Sequence, residues 1–208
     1  VLIILFCFID LFQCFCPAGQ YKPHQVGENN KLPIGQKLTP LKTETAQKIT
    51  GVLSPCAEPL CGYCGAPSFI DLENIKLGGI DALLHPPFSA AINRALKKIQ
   101  KSEPSLFNRM RSHAQNSFCC RLTSNGQGGC ISSVSPHAWG MSLDINLDGQ
   151  FDITGDDCVQ AGLEKIDKYF FQEGLYWGKD YYIEESRHWE ISEQKAQEWL
   201  KDGYIDLL

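Results

Sequence analysis

Residues 141–147, Met-Ser-Leu-Asp-Ile-Asn-Leu, alternate apolar and polar side chains without a break. A period of two belongs to an extended strand with one face on a core and the other carrying polar groups. Met141, Leu143, Ile145 and Leu147 point one way, and Ser142, Asp144 and Asn146 the other. Any fold open to this chain must give that strand a partner and cover its apolar face. His137 precedes Asp144 by seven residues, an odd separation that would set the two on opposite faces of a regular strand. The chain must therefore turn between them, and Gly140 is where it turns most easily.

A second alternation runs from Arg187 to Ile191, with His188 and Glu190 on one side and Trp189 and Ile191 on the other. If the two strands are neighbours, His137, Asp144 and His188 can meet at one end of the sheet. Two imidazoles and a carboxylate are a common tripod for catalytic zinc, which leaves a fourth position for water. Glu185, three residues before His188, cannot share that strand's face and must lie ahead of it. A loop there brings its carboxylate within reach of water at the ion, where a general base is needed. Glu184 is expected to point into solvent. His24, His85 and His113 are read as structural. Asp144-x-Asn146-x-Asp148-Gly149 opens like a calcium loop, but its twelfth position is Gly155, so the closing bidentate ligand is absent.

Around these strands the sequence predicts helices at Ser89 to Lys101, Val159 to Gln172 and Glu193 to Lys201. Ser192 serves as N-cap of the last, and a short helix follows Thr43. Strand-like runs lie near Leu106 to Met110, Ser117 to Thr123, Tyr176-Trp177 and Tyr181 to Ile183. Strands edged by helices imply an α+β fold with an antiparallel sheet.

Residues 1–18 form an apolar run with one charge, Asp10, too short and interrupted for a comfortable membrane span. It is read as part of a signal peptide with cleavage after Ala18. Residues 19–84 are read as a linker, pro-segment or small cysteine-containing module, and 85–208 as the main domain. Removing the signal would leave seven cysteines, which in an oxidising compartment should mostly pair, leaving one free or shared between chains. Cys61-x-x-Cys64 is assigned to disulfide rather than metal chemistry, because a second ligand pair is missing. A net charge of -5 excludes the basic stripe that nucleic-acid binding needs. A secreted monomer with no membrane span in its mature form is expected.

Ser135-x-His137-x-x-Gly140-x-x-x-Asp144, followed by Glu185-x-x-His188-Trp189-Glu190, resembles the zinc D-alanyl-D-alanine carboxypeptidase family. That group includes VanY-like and extensin-like carboxypeptidases, phage endolysin peptidases and relatives with the Hedgehog-type fold. The resemblance covers roughly Phe107 to Ser192, and Ser142 stands where the family usually has Ala. It implies a Hedgehog/DD-peptidase-like domain with Zn2+ on His137, Asp144 and His188, and Glu185 as catalytic base. It also implies an arginine that steadies the substrate, for which Arg121 is chosen over Arg109 and Arg111. Ser135 and Glu190 would stand behind the ligands, and Trp189 would form a wall of the pocket. The implied substrate is a peptidoglycan stem peptide, cut by a carboxypeptidase or a related endopeptidase. The competing reading from another class is a zinc-stabilised binding module without turnover. A third, a disulfide-rich structural protein with coincidental histidines, predicts no stoichiometric metal.

Overall fold

The computed structural model describes residues 20–21, 37–52, 54–56, 64, 70–113, 117–124, 129–150 and 152–203. The signal-peptide reading of residues 1–18 and His24 lie outside them.

The described chain opens with a two-residue strand, β1 (Gln20–Tyr21), and helix α1 (Thr43–Thr50). The hairpin β2 (Glu73–Leu77) and β3 (Ile80–Leu84) follows, then the long helix α2 (Pro86–Ser102). Pro86 and Pro87 occupy the first turn of α2, where a missing N–H costs nothing and the fixed φ is already helical. Phe88, Ala91, Ile92, Ala95, Leu96 and Ile99 recur at helical spacing and are fully buried. Pro104 restarts the chain as helix α3 (Pro104–Arg109), so the strand read near Leu106 is helical up to Arg109. A proline at a first helical position outweighed the apolar run behind it.

Strands β4 (Met110–Arg111), β5 (Leu122–Ser124) and β6 (Cys130–Val134) lead to a 3-10 turn at Pro136–Trp139. The alternating segment then divides into β7 (Ser142–Asp144) and β8 (Asn146–Leu147). β7 pairs antiparallel with β11 (His188–Ile191), while β8 pairs with β4. β11 also pairs with β10 (Leu175–Trp177), which gives the sheet order β10-β11-β7. Between them come β9 (Val159–Gln160) and α4 (Leu163–Phe171), and α5 (Glu193–Lys201) closes the described fold. The helix predicted from Val159 starts only at Leu163, because Gly162 at φ 115° breaks the backbone there. Tyr181 to Ile183 continue from a 3-10 turn at Gly178–Asp180 rather than forming a strand. Ser192 caps α5 as expected, its hydroxyl accepting from the Lys195 N–H at 3.2 Å. Small antiparallel sheets edged by helices make this an α+β fold.

Met141, Leu143, Ile145 and Leu147 are all buried, so the alternation reported the core face correctly. Trp189 lies on that same side, stacked on Trp177 with ring centroids 5.4 Å apart and planes within 6°. One apolar cluster joins α2, α4, β7 and β11 to Ala46 and Ile49 of α1 and to Ile75, Ile80, Ala82 and Leu84 of the first hairpin. The boundary drawn between residues 84 and 85 therefore does not separate two packing units among the described residues.

Cysteine pairing is partly visible. Cys64 and Cys119 form a disulfide, and Cys130 and Cys158 are also disulfide-bonded. Cys61 lies outside the described residues. Cys56 and Cys120 are buried free thiols packed together under Ala138, and burial pushes the Cys56 thiol far up, which makes it inert.

Candidate metal centre

The register of β7 and β11 sets His188 directly opposite Asp144, with Glu190 opposite Ser142 two residues along. A cross-strand pair on one face brings Cβ atoms within about 5.5 Å, so imidazole and carboxylate must meet. His137 arrives from the 3-10 turn. The Ser135 hydroxyl caps that turn, accepting from the His137 N–H at 3.3 Å. The turn ends at Gly140, whose φ of 63° is left-handed, and a Cβ there would lie 2.5 Å from Leu72 Cδ2 and 2.9 Å from His85 N. The expected reversal between His137 and Asp144 is thus made at the one residue that fits.

His137 Nε2, His188 Nδ1 and Asp144 Oδ1 form a nearly equilateral triangle. Its edges are 3.1 Å between the imidazoles, 3.2 Å from His137 to Asp144 and 3.1 Å from His188 to Asp144. All three residues are buried. Donors bound to a tetrahedral zinc at about 2.0–2.1 Å stand about 3.3 Å apart, so the triangle has the size of one face of such a site.

The outer nitrogens decide whether protons could fill that face instead. His137 Nδ1 lies 3.3 Å from the Ser117 carbonyl, which only a nitrogen bearing hydrogen can satisfy. His188 Nε2 lies 3.1 Å from Glu190 Oε2, again an acceptor. With both neutral rings protonated outward, two imidazole lone pairs and a carboxylate oxygen converge on one point, and a cation fits there. Burial works against a charge on His188, but its hydrogen bonds to Asp144 and Glu190 outweigh this and push its pKa up to about 10 without an ion. Burial likewise raises Asp144, and the two histidines more than reverse it, holding the carboxyl well below its usual range. The His188 shift describes a site whose carboxylates favour positive charge, and the Asp144 shift describes a carboxylate held ionised beside the two imidazoles.

Beyond the triangle lies a cavity of about 600 Å³, lined among others by Arg121, His137, Tyr181, Glu185, Arg187 and His188. Glu185 opens the turn into β11, since the His188 N–H donates to its carbonyl at 3.0 Å. That places its carboxylate ahead of the strand, as the three-residue offset requires. Gly178 supports the turn: its carbonyl accepts from the Glu185 N–H, and a Cβ there would lie 2.8 Å from the Glu185 carbonyl oxygen. Arg121, half-buried just before β5, also faces the cavity, and its buried Nε has no hydrogen-bond partner.

Several expectations are redrawn. Trp189 is not a pocket wall: strand alternation turns it into the core, where its Nε1 donates to Asp167 at 3.3 Å. Glu184 is not solvated. It is 3% exposed, and burial, reinforced by Asp152, pushes its pKa up to about 8. Arg109 instead pairs with Asp148 at 2.9 Å and Arg111 bonds to nearby carbonyls, so neither reaches the cavity. With Asp144 facing the histidines and Asp148 held by Arg109, the calcium-loop geometry does not form. His85 is buried beneath the turn at the head of α2, its pKa lowered to about 4 by burial, and His113 is exposed.

Two contributors escaped the pattern reading. Arg187 bridges Asp144 Oδ2 at 3.4 Å and Glu185 Oε1 at 3.3 Å, although strict alternation with His188 would turn it away from the polar face. It sits just ahead of β11, where the strand period does not yet apply. Tyr181 is buried with its hydroxyl on Glu190 and lines the cavity. No periodic signal marks it.

Residues 131–191 match the model of a peptidase family described as D-alanyl-D-alanine carboxypeptidase. The likeness is confined to this segment. A search of curated proteins finds none that matches. The match spans less than a third of the chain, but it contains His137, Asp144, Glu185, His188 and Glu190. Arg121 and the whole of α1 fall outside it.

Proposed function

We propose that this chain is a secreted zinc metallopeptidase that hydrolyses peptide bonds in peptidoglycan stem peptides, as a D-Ala-D-Ala carboxypeptidase or a related endopeptidase. The observation that carries the reading is the triangle of two imidazole nitrogens and a carboxylate oxygen with tetrahedral spacing, beside a cavity that also presents the Glu185 carboxylate and the Arg121 guanidinium. His137, Asp144 and His188 would hold the ion. Zinc bound there supplies Lewis acidity, polarising a carbonyl and bringing the pKa of water to about 7.

The remaining work falls to side chains. Glu185 takes a proton from the attacking water as its oxygen bonds to the scissile carbonyl carbon. Negative charge then gathers on the former carbonyl oxygen, and the Arg121 guanidinium, which lines the cavity and whose Nε has no hydrogen-bond partner, is the donor available to meet it. Glu185 passes its proton to the amide nitrogen, the C–N bond breaks, and a carboxylate and an amine leave. Arg187 holds the Glu185 and Asp144 carboxylates in fixed relation, and Glu190 and the Ser117 carbonyl fix the tautomers of His188 and His137. Secretion is supported by the disulfide chemistry at Cys64, Cys119, Cys130 and Cys158. No helix among the described residues is long and apolar enough to cross a membrane.

The test pairs metal analysis with mass spectrometry of digested peptidoglycan. Wild-type protein should release D-alanine or shortened stem peptides. Glu185→Ala should keep its zinc while hydrolysis falls by about 10²–10⁴. A zinc-loaded wild type that cleaves none of a broad muropeptide panel would replace this reading with a zinc-stabilised binding module.

A further inference from the structure

Glu190 is fully buried and orients His188, yet its other oxygen is occupied from a distant part of the chain. The Leu41 backbone N–H donates to Glu190 Oε1 at 2.9 Å, while Glu190 Oε2 faces His188 Nε2 at 3.1 Å. Leu41 lies far outside the segment that matches the peptidase family. It is not a passing contact, because the chain on both sides of it is fastened to the start of α5. Thr39 gives its carbonyl to the Glu193 N–H at 2.9 Å and its own N–H to Gln194 at 3.0 Å. Lys42 N–H donates to Glu193 Oε2 at 3.0 Å, and the Thr45 hydroxyl donates to Glu193 Oε1 at 2.7 Å. The Lys42 side chain provides no cap for α1, so Glu193 does that work from another helix. Pro40, Leu41 and Thr43 meanwhile line the cavity.

We infer that residues 37–50 are a positioning strap for the metal centre, in which the Leu41 N–H acts through Glu190 on His188 to set how firmly the ion is held. The inference rests on the zinc reading above. Glu190 also holds the Tyr181 hydroxyl, but a buried carboxylate one hydrogen bond short is costly, so losing the Leu41 donor would let Glu190 shift and release the His188 ring. Groups that orient a metal-bound histidine in this way typically change metal affinity by about 10–100-fold. Coupling is reciprocal: if the strap steadies the ion, the ion must steady the strap by the same factor. The donor belongs to the backbone, so among natural side chains only proline at position 41 removes it.

Hydrogen exchange on the full chain, zinc-loaded and after chelation, reads this directly. The Leu41 and Lys42 amides should exchange at least about 10-fold faster without zinc, while amides in the middle of α2 stay within about twofold. Strap amides that ignore zinc, or an α2 that loosens in step with them, would overturn the inference. In a second arm, Leu41→Pro should surrender zinc to a chelator about 10–100-fold faster than wild type. If that variant does not fold, Glu193→Ala replaces it, since it frees the strap without touching Glu190, His188 or the cavity. Unchanged zinc release from a folded variant overturns the strap alone. A wild-type chain that takes up no zinc overturns the zinc reading and the strap with it.

Discussion

Arg121→Met separates a residue kept for chemistry from one kept for packing. Methionine reaches about as far as arginine's aliphatic stem but donates no hydrogen bond. In the folded protein the Arg121 Nε is buried without a partner, a state that costs about 1–3 kcal/mol for a donor removed from water. Arginine's residual exposure and the loss of favourable guanidinium contacts discount that gain. The substitution should then leave stability unchanged or raise it by about 1 kcal/mol, equivalent to about 2–4 °C in Tm for a chain of this size. Activity should move the other way. Removing one donor to the developing oxyanion costs about 2.7–4 kcal/mol, or roughly 10²–10³ in kcat. Thermal unfolding and steady-state kinetics on a D-Ala-terminated stem peptide supply the two axes. A variant that loses more than about 2 kcal/mol of stability while keeping kcat/KM would refute the reasoning, because Arg121 would then be a structural residue.

Gly140→Ala should destabilise by about 2–4 kcal/mol, combining the left-handed backbone penalty with a Cβ forced against Leu72 and His85. Chemical denaturation reads the size, and zinc content should fall with it because His137 rides on the same turn. Glu184 carries a pH signature: with its folded pKa near 8, the native state holds a proton that the unfolded chain gives up above about 4.5. Wild-type stability should therefore decline from about pH 4.5 to 8, and Glu184→Gln should flatten that decline, with the variant's advantage greatest at pH 8 and absent near pH 4. Denaturation midpoints across that range check the sign.

What the sequence revealed follows from the range of each physical signal. Alternation over 141–147 and 187–191 reported which faces join the apolar core and which carry the polar site, because a period of two is set by the strand itself. Their adjacency then brought Asp144 and His188 together, and Gly140 marked the turn that delivers His137. Local chemistry misled where a single residue outweighed a run: Pro104 made a helix of an apolar stretch, and Gly162 delayed α4. The same strand period that found the ligands also aimed Trp189 and Ile191 into the core, against the pocket role taken from the resemblance. Long-range contacts left no local trace. Nothing around Leu41 or Glu184 reveals that one completes the coordination of Glu190 and the other is buried against Asp152. The early part of the chain looked like a linker for that reason, since α1 is short and gains its packing from α5 and the shared core.

X-ray absorption at the zinc edge, on the full chain loaded with one equivalent, tests the convergence of His137, Asp144 and His188 most directly. Nitrogen and oxygen scatterers at about 2.0–2.1 Å, with the imidazole pattern of two histidines and lost in His188→Ala, are the predicted result. A sulfur shell at about 2.3 Å, as the buried Cys56 and Cys120 thiols would give, contradicts the account. So does a spectrum indifferent to His188→Ala.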